Sequence, residues 1–389
     1  MVSVVVVWFM ALPSQNPSYL RCALPMGTLD IHRIKTDGYT ISAGRFALGD
    51  LAETLSSDAF AEAKVFILCD ENTLRHCLPA AVSKIPSLQH AEVLEVEPGE
   101  GSKSIEVCTQ LWQALSEMGA DRHSVLVNLG GGVVSDLGGF VAGTYKRGIR
   151  YFNVPTSLVA QVDASIGAKV GIDLHHVKNA VGLFNHPNGV YVDPAFLETL
   201  PRRHVINGFA EMVKHALICS PGYWRELQDL SLFDRVALDA AILRSIALKN
   251  EIVCSDPFET GLRKMLNFGH SVGHALESVS LEGYTKELLH GEAVAAGMVC
   301  EAFISYKAHL LTERSLQEIT EFIFSHFPRV EVDPVLYHRV IELMRQDKKN
   351  RAGKLRLSLL QGIGDCITDQ EVPADVVVES LQNYRRWVG

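Results

Sequence analysis

SVLVNLGGGVVSDLGGF, residues 124–140, is the stretch from which the fold can be read. Ser124–Leu129 is a short apolar run closed by glycine, the pattern of a strand buried on both faces. Gly130-Gly131-Gly132 follows at once, and Asp136, Leu137 and Phe140 then fall in a helix-like segment. A strand turning through glycines into a helix brings backbone N–H groups and a helix N-terminus to one point, which suits an anion such as a pyrophosphate. The turn is neither G-x-G-x-x-G nor a Walker A sequence, so taken alone it fits a plain structural turn equally well.

The same grammar repeats upstream. Lys64–Leu68 (KVFIL) runs into the polar turn Asp70-Glu71-Asn72. Val93–Val96 runs into the turn-rich Pro98–Ser102 and then an amphipathic stretch, Ser104–Met118. Strands alternating with helices predict a mainly parallel sheet covered on both faces. Asp70 and Asn72 suit both a turn and a contact to the adenosine part of a nucleotide.

From about Arg203 the pattern changes to long helical stretches, Ile206–Ile218, Leu238–Val253 and Glu292–Leu310. Pro201 and the charged LETLPRRH segment mark the boundary. The expectation is an α/β domain over 26–202 followed by an all-α domain over 203–389, with the active site between them, where clefts tend to form. Val2–Leu12 is apolar but shorter than the roughly 20 residues a membrane span needs. The first cation is Arg21, so a signal peptide's basic start is missing. Residues 1–25 read as a tail or an upstream start artefact.

The 389 residues are 47% hydrophobic and 21% charged, ample for two cores. A formal charge of −9 argues against a nucleic-acid surface but leaves room for a local cation cluster facing a small anion. The eight cysteines contain no C-x-x-C pair, which reads as reduced, packed thiols in a cytoplasmic protein.

In NFGHSVGH, residues 267–274, His270 and His274 stand at i and i+4 and share one face of a helix. Glu211 lies upstream in FAEMVK, and His290-Gly291-Glu292 opens a small-residue helix downstream. Two histidines and a carboxylate leave an open position on a catalytic Zn²⁺, although spacing alone leaves open which of them are ligands, and a packed histidine pair fits as well. Lys169, Lys178, Lys214, Lys249 and Arg263 sit near apolar or glycine-rich segments. Solvated faces explain any one of them. Convergence would imply a polyanion, since two like charges about 6 Å apart repel by roughly 3 kcal/mol at an effective dielectric of about 20.

These pieces join in one resemblance. GGGVVSDLGGFVAGTYKRGIRYFNVPTSLVAQVDASIGAK, VKNAVGLF, FAEMVKH, GLRKMLNFGHSVGHA, LLHGEAVAAGM and DKKN follow one another from Gly130 to about Asn350. In that order they resemble the 3-dehydroquinate synthase family, within the sugar phosphate cyclases. The resemblance implies a homodimer with an N-terminal Rossmann-like NAD-binding domain and a C-terminal helical metal- and substrate-binding domain. It implies conversion of 3-deoxy-D-arabino-heptulosonate 7-phosphate (DAHP) to 3-dehydroquinate and phosphate in the shikimate route, with NAD used catalytically.

Carried over position by position, the resemblance makes Glu211, His270 and His290 the metal ligands, with His274 beside the metal, for Zn²⁺ or Co²⁺. It makes Asp70, Asn72, Glu100, Lys103, Gly131, Gly132, Asp136, Thr156, Ser157, Lys178 and Thr199 contacts to NAD. Arg147, Asp163, Lys169, Asn179, Lys214, Lys249, Arg263, Asn267 and Lys349 become substrate contacts. Glu259, His274, Lys169, Arg263 and Asn267 take catalytic roles. Chemistry of this kind needs a dry cleft, so closure on substrate is expected.

The chain departs from the family pattern at Ala168, where the usual turn reads Gly-Gly-Lys, and at His215-Ala216, where Tyr-Gly is frequent. Neither change removes a charge. The competing readings are a 2-epi-5-epi-valiolone or 2-deoxy-scyllo-inosose synthase, a metal-dependent NAD alcohol dehydrogenase with net NADH production, and a catalytically dead scaffold. Arg263, Asn267 and the intact LNFGHSVGHA block favour a carboxylate-bearing substrate, and no matched ligand is missing.

Overall fold

The computed structural model describes residues 5–7, 31–174, 177–346 and 354–388. The chain divides into two compact units, Met1–Leu200 and Pro201–Gly389.

The first unit is built on an eight-stranded sheet. Its strands are β1 (Val5–Val7), β2 (His32–Lys35), β3 (Thr40–Ala43), β4 (Val65–Asp70), β5 (Glu92–Val96), β6 (Val125–Gly130), β7 (Arg150–Pro155) and, after the hairpin β8 (Lys169–Leu174) and β9 (Val177–Phe184), β10 (Gly189–Val192). The order is β1-β5-β4-β6-β7-β10-β3-β2, parallel from β5 to β3, with an antiparallel strand at each edge. Val5–Val7, within the segment read as a tail, pairs with β5. The rest of that segment lies outside the described residues.

Period-two geometry explains why the inner strands read as continuous apolar runs. Phe66, Leu68 and Leu126 face one core with the helices Ile105–Glu117 and Gly132–Thr144. Ile67, Cys69, Val125 and Val127 face a second core with Ala47–Leu55 and Leu78–Lys84. Ser104 caps the helix Ile105–Glu117 by accepting from Val107 N–H, so the amphipathic stretch begins where its polar start signal stands.

The second unit is helical, with an antiparallel hairpin, Leu355–Gly362 and Asp365–Val372, that the sequence reading did not anticipate. Its centre is the helix His290–Lys307, buried from Gly291 to Ser305. Small residues there admit close neighbours: a methyl on Gly273, in the helix His270–Leu281, would stand 3.0 Å from the Ala293 carbonyl oxygen. The helices Arg202–Cys219, Glu313–His326 and Ala374–Val388 also pack on this central helix. Among the described residues no helix is long and apolar enough to cross a membrane, and the seven described cysteines are free thiols.

Candidate active site: a nucleotide crevice and a histidine–carboxylate cluster

In the first unit β5 lies on one side of β4 and β6 on the other, which makes the C-terminal ends of β4 and β6 a topological switch point. Asp70 ends β4 and Gly130 ends β6. Gly131 is the N-cap of the helix Gly132–Thr144, and a methyl there would stand 3.2 Å from Ser157 Oγ. The Thr156 N–H donates to the Gly130 carbonyl (3.0 Å). Gly131, Gly132, Thr156 and Ser157 thus form one wall of the crevice. Asp70 caps its own helix by accepting from Thr73 N–H (2.8 Å), and Asn72 is exposed on that helix's first turn.

Beside this wall stands a charge network. Lys103, 4% exposed, places Nζ 2.8 Å from Asp136 Oδ2, 3.4 Å from Glu100 Oε1 and 2.7 Å from Asn179 Oδ1. Lys178 Nζ is 3.5 Å from the same Glu100 oxygen. Burial pushes the Lys103 ammonium down, but Asp136 and Glu100 outweigh it and hold the group above the usual lysine range. Asn179, matched to a substrate position, therefore shares a partner with the residues matched to NAD positions. Thr199 is exposed in the short turn after β10 and makes no described contact with this network.

Lys169 is exposed at the start of β8, after Gly167 (φ 108°) and Ala168 (φ 61°). The turn that presents Lys169 keeps left-handed backbone at a buried alanine, at a cost of roughly 1–2 kcal/mol relative to glycine. The departure at Ala168 therefore strains that turn without changing its hand. Asp163 lies on a single π-turn, Ala160–Ala164. Arg147 is exposed just past the C-terminal end of the helix Gly132–Thr144, at the other end of that helix from the glycine turn, so the first unit does not bring it to the crevice.

In the second unit the cluster is tighter. Glu211, fully buried on the helix Arg202–Cys219, has Oε1 3.6 Å from His270 Nε2 and 3.3 Å from His290 Nε2. Its other oxygen is 2.5 Å from Lys214 Nζ, one turn along, and Lys214 is 1% exposed. The His270, His274 and His290 rings form a triangle with centroids 5.1, 5.3 and 5.6 Å apart. One ring nitrogen of each lies within 4.8 Å of the others, so His274 is as well placed as Glu211 to complete a donor set.

His270 and His290 are each the first residue of a helix. Helix N-termini repel cations, and buried carboxylates offset this locally. Glu301 accepts from Gly269 N–H (2.7 Å) and Val272 N–H (3.0 Å), capping the helix that carries His270 and His274. Gly269 itself has φ 79°, the left-handed turn that starts this helix. Glu292 accepts from Leu289 N–H (2.9 Å) at the next helix.

The donor chemistry fits a divalent ion. His270 Nδ1 lies 3.2 Å from the Phe268 carbonyl and His290 Nδ1 lies 3.4 Å from Glu277 Oε2, which leaves both Nε2 lone pairs toward Glu211. Burial pushes the His290 imidazole down, but Glu211 and Glu277 reverse the direction and raise it to about 10. The negative field that holds a proton there equally favours a metal cation.

The segment leading into His270 carries the other named residues. Asp256 accepts from Thr260 N–H (2.9 Å), Gly261 N–H (2.7 Å) and Arg263 N–H (3.1 Å) and so fixes the turn. Within it Glu259 has φ 58°, and its Oε1 accepts from Asn267 Nδ2 (3.0 Å). Arg263 is buried and donates to the Pro257 carbonyl (2.6 Å). Lys249 is buried on the helix Arg235–Ser255. His215 is fully buried, with Nδ1 2.8 Å from Ser245 Oγ. Lys349 lies outside the described residues. Glu277 and Glu301 were missed by the sequence reading, because a single glutamate inside a helical pattern gives no signal apart from a solvated face.

Comparison with known proteins gives the chain a family. Residues 93–207 match the 3-dehydroquinate synthase N-terminal family model and residues 208–350 the C-terminal one. The chain is 42% identical over 328 residues to the 3-dehydroquinate synthase of Parabacteroides distasonis, covering 84% of this chain and 92% of that one. It is 35% identical over 353 residues to the same enzyme of Alkaliphilus oremlandii, covering 89% and 95%. Among solved structures it superposes on 2-epi-5-epi-valiolone synthase from Streptomyces hygroscopicus with NAD⁺ and Zn²⁺ bound (TM-score 0.78, 26% identity, 95% of this chain and 100% of that one). A 2-deoxy-scyllo-inosose synthase, solved with carbaglucose-6-phosphate, NAD⁺ and Co²⁺, shares the fold (TM-score 0.80, 23% identity, 91% and 100% covered). By both of its halves and by its full-length relatives, this chain belongs to the 3-dehydroquinate synthase family.

Proposed function

We propose that this protein converts DAHP to 3-dehydroquinate and phosphate by transient oxidation, loss of phosphate, reduction and intramolecular aldol closure, with no net redox change. The observation that carries this reading is membership of the family over both halves of the chain. The alternatives within the superfamily are weaker, since the cyclases of other sugar phosphates are less similar in sequence than the dehydroquinate synthases.

Glu211, His270 and His290 hold the metal in this reading, with His274 adjacent, and the NAD set is Asp70, Asn72, Glu100, Lys103, Gly131, Gly132, Asp136, Thr156, Ser157, Lys178 and Thr199. When bound, the metal polarises substrate hydroxyls and NAD takes up and returns a hydride.

The chain's own residues do the rest. The N–H groups of the Gly130–Gly132 turn and the N-terminus of the helix Gly132–Thr144 favour a pyrophosphate. Lys103, held by Asp136, Glu100 and Asn179, keeps the neighbouring wall rigid. Lys169, Lys214, Lys249, Arg263 and Lys349 supply positive charge for the substrate's phosphate and carboxylate, so binding them orients the reacting carbons. Lys214 is already paired with Glu211, which fixes its position. Asn267 holds the Glu259 carboxylate, so that group's direction is set before substrate arrives. Arg147, Asp163 and Asn179 complete the proposed substrate set. A homodimer in the cytoplasm, and closure on substrate, belong to the same proposal.

Phosphate release from DAHP tests it. Release with NAD and Zn²⁺ or Co²⁺ present, and none from glucose 6-phosphate or sedoheptulose 7-phosphate, is the expected result. Release from one of those sugars instead would move the protein to a different cyclase.

A further inference from the structure

A neutral imidazole has one lone pair to give a metal, so its second nitrogen must carry the proton and find an acceptor. The two histidines read as ligands solve that problem differently. His270 donates through Nδ1 to the Phe268 carbonyl, two residues back on its own chain. For His290, the first residue of its helix, the acceptor comes from another helix: Nδ1 lies 3.4 Å from Glu277 Oε2, while Nε2 lies 3.3 Å from Glu211 Oε1. The ring is bracketed by carboxylates on both nitrogens.

Glu277 is built for this place. It follows His270 by seven residues and His274 by three, so all three project from one face of the helix His270–Leu281. It is 4% exposed, and a carboxylate so buried is costly without a donor to meet it. The same turn also anchors the loop that leads to His290. Ser280 Oγ donates to the Glu277 carbonyl (2.7 Å) and accepts from Leu288 N–H (3.2 Å).

We propose that Glu277 is a positioning residue for the metal centre: its carboxylate accepts the Nδ1 proton of His290, fixing the tautomer and ring orientation that present Nε2 to the metal. The inference rests on the reading of His290 as a ligand. In this role Glu277 acts through the His290 ring.

The test measures metal affinity rather than turnover. Metal-free protein is titrated with Zn²⁺ against a chromophoric chelator for the unsubstituted chain, Glu277→Ala, Glu277→Gln, His290→Ala and the double variant His290→Ala/Glu277→Ala. Glu277→Ala is expected to weaken Zn²⁺ binding by roughly 10–100-fold, the usual effect of losing such a partner. Glu277→Gln should lose less, because its amide oxygen still accepts from Nδ1–H. The double variant should bind Zn²⁺ no more weakly than His290→Ala alone, since Glu277 acts through that ring.

If His290→Ala loses Zn²⁺ while Glu277→Ala and Glu277→Gln stay within two-fold of the unsubstituted chain, the positioning role is wrong and the ligand reading stands. Additive losses in the double variant also overturn it. Retention of full Zn²⁺ affinity by His290→Ala overturns the ligand reading and takes this inference with it. Should Glu277→Ala not fold, Glu277→Leu, which fills the space but accepts no hydrogen bond, decides: an affinity within two-fold of the unsubstituted chain counts against the proposal, and a loss larger than that of Glu277→Gln counts for it.

Discussion

In the α/β unit the Lys103 ammonium is met by Asp136, Glu100 and Asn179. In the helical unit Glu211 offers one oxygen to Lys214 and the other to two histidines whose Nδ1 atoms already have acceptors. Both regions bury charge. The first neutralises it internally, cation against carboxylates. The second gathers lone pairs on one point, and a proton or a metal must complete it. In the proposed reading a buried ion pair serves scaffolding in one unit and cation binding in the other, and the two should respond to different insults.

His290→Ala should give the largest effect. We expect Zn²⁺ affinity to fall by at least ~100-fold, beyond the loss of an outer partner, with NAD affinity unchanged. Isothermal titration with each ligand checks both halves. NAD binding that falls in parallel would break the separation between the regions.

Lys103→Met probes the other side. It leaves Asp136 and Glu100 without their buried cation and should cost about 3 kcal/mol of stability, the low end for a broken buried pair because both carboxylates are partly exposed. Urea unfolding reads the cost. NAD affinity should drop while Zn²⁺ affinity holds.

The sequence made the architecture of the α/β unit plain for a physical reason. A strand buried on both faces must be apolar throughout, so KVFIL and SVLVNL announce β4 and β6, and the glycines mark where the chain turns into a helix. The hairpin Leu355–Val372 was missed although LRLSLL carries an alternating start, since its partner strand, DCITDQEV, is polar on most positions. Within the site, the spacing of His270 and His274 was legible, while their joining to Glu211 and His290 came only from the family resemblance. Lys103 meets Asp136 across 33 residues and Asn179 across 76, and no local pattern encodes such contacts. Glu277 and Glu301 were invisible because burial, not residue type, gives them meaning.

Acid should act on the helical unit through Asp256. Backbone N–H donors from Gly261, Thr260 and Arg263 overcome burial and lower its carboxyl to about 2, below an unfolded value near ~3.9. Its contribution is therefore complete above pH ~4 and is lost as pH falls toward about 2. In metal-free protein, the melting-temperature gap between the unsubstituted chain and Asp256→Asn should close over that window. A gap that persists at pH 2 would contradict it.

Ala168→Gly should have the smallest effect. Relief of left-handed strain, roughly 1–2 kcal/mol, is partly offset by about 0.4–1 kcal/mol of added freedom in the unfolded chain. A small rise in melting temperature, with the KM for DAHP altered more than Zn²⁺ affinity, is expected. A fall in stability would mean that the alanine methyl packs more favourably than the turn is strained.

The central claim is that the two regions serve one redox-neutral reaction. Phosphate released from DAHP is counted against NADH formed, with NAD far below the protein's substrate and with or without prior chelation. The account predicts many phosphates per NAD, no net NADH, and loss of release on chelation that added Zn²⁺ or Co²⁺ restores. NADH accumulating in step with substrate consumption, or full release after the metal is removed, would contradict it.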